Sequence, residues 1–174
     1  MLKDSKIKTM LIFALVCSLF LALSSMGLYM GVSAKNIEKD IRVSQKINDD
    51  WNVLGTVGKD IAAYISYPKD CSTHTYSLYL NYPGLSFGYF FRSGGGIPSI
   101  DDSIALFEYD KFDEIAFISM NNCKVDRVEI GMGNDKQEID IDSDKPFAIV
   151  VKKNLGRVCF YDVNNQPVEY TRAS

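Results

Sequence analysis

Hydrophobic and polar positions divide this chain into three regimes. From Thr9 to Ala34 no residue carries a charge, and positions 10–23 read MLIFALVCSLFLAL. At 1.5 Å per residue a helix over that stretch would be about 39 Å long, and a bilayer core takes about 20 residues. The run also lacks the polar face that a surface helix needs. Between 36 and 66 the apolar residues fall about four apart, at Ile37, Ile41, Ile47, Trp51, Leu54, Ile61 and Ile65. That spacing predicts amphipathic helix. Asn48-Asp49-Asp50 offers a cap for a second helix starting near Trp51, and Tyr67-Pro68 ends it.

After Pro68 the period becomes two. Tyr76, Leu78, Leu80 and Tyr82 alternate with Ser77, Tyr79 and Asn81. Pro83-Gly84 makes a turn, and Leu85–Arg92 reads as a second strand. Arg92 to Pro98, with three consecutive glycines, reads as a loop. Further strands are predicted at 103–109, 114–120, 124–131, 137–142, 146–152, 156–161 and 167–171. Asp110, Asn121-Asn122, Gly133-Asn134-Asp135, Asn154-Leu155-Gly156 and Asn164-Asn165 break them, by tolerating positive φ or closing Asx turns. Strands so closely spaced predict an antiparallel meander.

The expected fold is therefore α+β: an N-terminal membrane helix, an amphipathic helix, then a mainly antiparallel β-sheet domain. Residues 1–8 would be a short cytoplasmic tail and 9–34 a transmembrane signal anchor or a signal peptide. Residues 35–68 would form a helical connector packing on the domain, and 69–174 a β-rich extracytoplasmic domain. Val32-Ser33-Ala34 fits the small-x-small pattern of a cleavage site. The apolar run continues through Leu28, Tyr29, Met30 and Val32, which favours a retained anchor.

Charge sharpens the picture. Lys3, Lys6 and Lys8 stand against Asp4 before the apolar run, and favour an N-terminus kept in the cytoplasm. The remainder holds 16 Lys/Arg against 21 Asp/Glu, a net of −5. Nucleic-acid binding rests on Lys and Arg neutralising phosphates, so this balance argues against it.

Cysteines past the membrane segment number three: Cys71, Cys123 and Cys159. In an oxidising compartment they predict one disulfide, with Cys123–Cys159 preferred and Cys71–Cys123 second. Cys17, inside the apolar run, follows Leu15-Val16 and reads as an apolar filler. Cys71-Ser-Thr-His74 has zinc-ligand spacing, but the second close pair of a structural site is missing.

Gly84-Leu85-Ser86-Phe87-Gly88 matches a nucleophile elbow, which needs an acid and a histidine later in the chain. His74 is the only histidine and precedes the serine, so the motif reads as a turn. Glu138, Asp140, Asp142 and Asp144 alternate and share one strand face, with Ile139 and Ile141 facing the core. The calcium-loop template fails, with Lys145 where Gly is needed and Val151 where Glu is needed. Asp101, Asp102, Glu108, Asp110, Asp113 and Glu114 form an acidic region in which nothing selects a catalytic pair. Neither Gly94-Gly95-Gly96 nor Gly55-Thr-Val-Gly58-Lys59 completes a phosphate loop. No catalytic residue, cofactor or metal is expected, and the chain is not expected to be an enzyme.

Residues 76–91 hold seven aromatics, more than one core face requires. Burial on both faces of these strands accounts for them in one reading; in the other, one face is a partner surface with Tyr79, Tyr89, Phe90 and Phe91 as its candidates. The expected function is that of a bacterial inner-membrane protein, single-pass, whose periplasmic domain binds a protein partner in a secretion, pilus or regulatory assembly. A cleaved, exported ligand-binding or sensory module, holding a small molecule on its sheet, is the alternative. A long apolar N-terminal helix followed by an antiparallel sheet with a disulfide resembles pilins in outline. The chain departs from that pattern: no Gly precedes the apolar run, and no Glu stands at its fifth position. A pilin-like subunit lacking the usual processing motif is thus a further alternative.

Overall fold

The computed structural model describes residues 2–25, 31–82, 88–132 and 136–173. Helix α1 runs Leu2–Ser25, and a short helix α2 covers Ile37–Ser44. Four strands follow: β1 (Asn52–Val57), β2 (Ile61–Tyr67), β3 (Thr75–Leu80) and β4 (Phe90–Gly95). A single turn of helix, α3 (Pro98–Asp102), leads into β5 (Ile104–Glu108), β6 (Glu114–Ser119), β7 (Val125–Ile130) and β8 (Gln137–Asp140). The last strands are β9 (Phe147–Lys152), β10 (Val158–Asp162), β11 (Pro167–Val168) and β12 (Tyr170–Arg172). The fold is α+β with mainly antiparallel sheets and few helices.

The described residues of the domain form three four-stranded sheets. The first has the order β1-β2-β3-β4, the second β12-β5-β6-β9, and the third β11-β10-β7-β8. Only the first is a meander. In the other two, strands distant in sequence lie side by side, and β12 runs parallel to β5.

Two cores hold the sheets together. Ile61, Ile65, Leu78 and Leu80 of the first sheet meet Ala105, Phe107, Ala116 and Ile118 of the second. The opposite face of the second sheet, with Ile104, Phe117 and Val151, packs on Val128, Ile130, Val158 and Phe160 of the third. The middle sheet is therefore buried on both faces. That is why its strands read as nearly unbroken apolar runs, IALFE, EIAFIS and FAIVVK, rather than alternating ones.

The helical connector expected over 35–68 is corrected. Only the 3-10 turn Ala34–Asn36 and the helix Ile37–Ser44 are helical there, and Ile37 and Ile41 are the buried residues of the latter. Residues 52–67 form the β1–β2 hairpin, in register Asn52↔Tyr67 through Val57↔Ala62. A spacing of four, as between Ile61 and Ile65, satisfies a period of two as well as one of 3.6. Both faces of β2 are covered. Ile61, Ala63, Ile65 and Tyr67 join the first core, while Ala62 and Tyr64 face α2. Gly55 lies opposite Tyr64. A side chain at Gly55 would run into the Tyr64 ring and the Ala63 carbonyl, so glycine lets that ring cross β1.

The expectation for 137–144 is met in half. The carboxylates of Glu138, Asp140, Asp142 and Asp144 are exposed, and Ile141 packs on the second core. Ile139 does not face a core. It sits on the edge strand β8, 41% exposed.

Helix α2 seals the outer face of the first sheet. Ile37 and Ile41 pack with Ala62, Tyr79 and Tyr89. The Tyr79 hydroxyl donates to Asp40 Oδ2 at 2.6 Å. Burial, and then the Asp40 carboxylate beside it, push the Tyr79 phenol well above the ordinary tyrosine range. A raised folded-state pKa means that the protonated phenol stabilises the fold at neutral pH, and that the stabilisation drains away as pH rises beyond the unfolded value near 10. Tyr79→Phe should cost about 1 kcal/mol at pH 7 and flatten the loss of stability above pH 10. Parallel urea melts of both proteins at pH 7 and pH 10.5 check this. An equally steep alkaline loss in the variant would assign it elsewhere.

Candidate functional site

The partner-surface candidates separate once the layers are in place. Tyr79 is fully buried, 0% exposed, beneath α2. Tyr89 is buried as well, and its hydroxyl donates to the Gly58 carbonyl at 2.6 Å. Neither can meet a partner, and both are corrected to core residues: the face they share is already covered by Ile37 and Ile41. Phe90 is half-buried, its ring centroid 6.3 Å from that of Tyr82. Phe91 remains 48% exposed, edge-on to Tyr79 at 5.6 Å.

The Cys123–Cys159 pairing is also corrected. Cys17, Cys71, Cys123 and Cys159 are all free thiols. In the β7–β10 ladder Cys159 lies opposite Glu129, and Val125 opposite Asp162. Four residues from Glu129 to Val125 span about 13 Å, and Cys123 lies further on, in the turn before Val125. A disulfide needs Cα atoms within about 7 Å. Cys123 Sγ instead lies 3.7 Å from the Asp102 carbonyl oxygen.

His74 is taken up by structure. Its Nδ1 lies 3.0 Å from Asp101 Oδ1, and the Ile97 N–H donates to its Nε2 at 3.4 Å. The nitrogen that would ligate a metal is thus an acceptor already in use, and the ring ties the β2–β3 loop to α3. Among the described residues no group of three His, Cys, Asp or Glu could hold a metal ion. Of the Gly84–Gly88 motif, all but Gly88 lies outside the described residues.

The acidic region divides in the same way. Glu114 is buried and accepts N–H bonds from Lys59 at 2.9 Å, Asp60 at 2.8 Å and Ile61 at 2.9 Å. It caps the β1–β2 turn from the neighbouring sheet. Glu108 pairs with Lys153 at 3.2 Å and Arg172 at 2.8 Å. Both roles are structural.

The surface best suited to a ligand is one that no single stretch of sequence announces. It lies where the β4 edge of the first sheet meets the end of β5 in the second. Among the described residues β4 pairs with β3 alone. The β3–β4 register slips between Leu78 and Tyr79, leaving Arg92 as the extra residue. This bulge sends the Arg92 guanidinium over the Tyr109 ring, 6.0 Å from its centroid. Arg92 and Tyr109 line two adjoining hollows. One, of about 480 Å³, is walled by Tyr76, Phe107 and Glu108. The other, of about 320 Å³, is walled by Leu80, Tyr82, Lys111 and Phe112. The rings brace one another, Tyr76 against Phe107 at 5.0 Å and Tyr82 against Phe112 at 5.5 Å. An aromatic floor with Arg92 and Lys111 alternating with Glu108 and Asp110 at its rim suits an apolar side chain flanked by polar groups. Arg and Tyr are also the residue types that dominate protein interfaces.

Compared with known proteins, the chain matches no family model, no curated protein and no solved structure.

Proposed function

We propose that this chain is a membrane-anchored bacterial envelope protein whose β-rich domain binds a protein partner outside the cytoplasm. The observation that carries the reading is the surface of α1. Met10, Leu11, Ile12, Phe13, Leu15, Val16, Leu19, Phe20 and Leu21 are each between 57% and 76% exposed, and they point to every side of the helix. A helix that is apolar all round is stable in a protein core or in lipid, not in water. Among the described residues no helix is long and apolar enough to cross a membrane. The uncharged sequence runs on past Ser25 to Met30, before the pairing at Val32, and that added length supports a crossing.

Retention is favoured over cleavage at Ala34. Val32 and Tyr89 exchange both backbone hydrogen bonds, each at 2.8 Å. A cut after Ala34 would strip that pairing from the folded domain. The groove around Arg92 and Tyr109 supports partner binding in place of catalysis, through a secretion, pilus or regulatory assembly.

A photo-reactive phenylalanine analogue in place of Tyr109 tests both halves, in the full chain and in the bacterium that makes it. After irradiation and an alkaline carbonate wash, one discrete adduct is expected in the washed membranes. Recovery of the chain in the wash would remove the anchor. A membrane-bound chain without an adduct, when Phe91 carrying the analogue does give one, would remove the groove.

A further inference from the structure

We infer that the outer face of α2 lies on the surface of an anionic phospholipid bilayer, so that the domain sits on the membrane in one orientation. This rests on the anchored reading of α1 and adds the surface that the domain turns to the lipid.

Charge carries the first part of the argument. Residues 35–46 hold Lys35, Lys39, Arg42 and Lys46 against Glu38 and Asp40, a net of +2. Residues 47–174 hold 12 Lys/Arg against 19 Asp/Glu, a net of −7. The short basic segment is therefore the one nearest the apolar run, and all that follows is acidic. Of the two acids within it, Glu38 is paired with Arg42 at 2.9 Å, and Asp40, half-buried beside Lys39 and Val43, accepts the Tyr79 hydroxyl.

Geometry carries the second part. Ile37 and Ile41 turn inward and are fully buried. Opposite them, Lys39 and Val43 stand four apart on one exposed face, and Lys35 and Lys46 flank it in exposed turns at either end of the helix. Val43 is 72% exposed. Val43 offers that face one apolar contact, and the lysines around it carry the attraction to an anionic surface.

The tether carries the third. Six Cα steps separate Ser25, the end of α1, from Gly31, about 22 Å when fully extended. Val32 is then fixed to Tyr89 by its paired backbone bonds. A side chain on Gly31 would come within 2.8 Å of the Gly88 carbonyl carbon, so the strand-like contact there is close. The first parts of the domain that the chain reaches after α1 are therefore Val32 and α2. Anionic headgroups attract its lysines and repel the acidic remainder, and both effects fall off within a Debye length.

The test uses the full chain in nanodiscs containing brominated phosphatidylglycerol. Val43→Trp is compared with Val163→Trp, whose position is 52% exposed in the turn after β10, and with the parent, whose single tryptophan is Trp51. Val43→Trp should be quenched several-fold more than Val163→Trp. The excess should vanish in brominated phosphatidylcholine, and also when Lys35, Lys39 and Lys46 are all replaced by Glu. Retention in the discs without excess quenching would overturn the inference and leave the anchor standing. Loss of the chain from the discs would overturn both. These are exposed positions, so the fold is expected to survive every variant, and circular dichroism checks that it does.

Discussion

Glu114→Ala is expected to lower the stability of the domain by about 2–4 kcal/mol, a large share of the 5–15 typical of a domain this size. Glu114 opens β6 in the middle sheet, but its carboxylate reaches into the first sheet. There it accepts the N–H groups of Lys59, Asp60 and Ile61, all within 2.9 Å. Truncation leaves the Ile61 donor buried without a partner and exposes the other two to imperfect hydration. Charge-assisted bonds of this kind are about twice as strong as neutral ones. Glu114→Gln keeps one acceptor oxygen and should lose about half as much. Gly58 sits against the same carboxylate, where a Cβ would collide with it, so Gly58→Ala should weaken the same joint. Urea melts of the three variants rank them. An Ala variant within about 0.5 kcal/mol of the parent would show that the turn holds without its cap.

Phe117→Ala should cost about 3–5 kcal/mol, the range found for emptying a large aromatic site in a core. The ring is fully buried on β6, in the second core. Phe160 of the third sheet lies edge-on at 5.0 Å, and Tyr170 of β12 at 5.1 Å. One side chain thus joins two sheets and the parallel strand. Phe91→Ala, at a half-exposed site, should cost under about 1 kcal/mol. If the two variants melt alike, the middle layer does not bear the weight assigned to it.

Local pattern was enough for most of the strands. Tyr76 to Leu80 alternates because one face meets the first core. The runs at 104–108 and 114–119 betray themselves by β-branched and aromatic content between turn residues. The misreading of 52–67 as helix has a local cause too, since Ile61 and Ile65 fit either period. What could not be read lies in long-range placement. Ile37 and Ile41 announce an apolar helix face, but nothing nearby says that the face lands on Tyr79, so the sequence leaves burial and partner surface both open for Tyr79. Cys123 and Cys159 are separated by the β7–β10 register, which no spacing along the chain reveals. The groove is assembled from Tyr76, Arg92, Phe107 and Tyr109, brought together by a bulge and by the stacking of two sheets.

The parallel pairing of β12 with β5 has a kinetic consequence. Strands β1 to β4 are consecutive, so the first sheet is built from short-range contacts and can form early. The middle sheet joins Ile104–Leu106 to Tyr170–Arg172, a loop closure of some sixty residues whose entropic cost precedes any reward. Its assembly is therefore the slow event, and until Arg172 docks, one margin of the central layer stands open to pair with whatever extended chain is nearest.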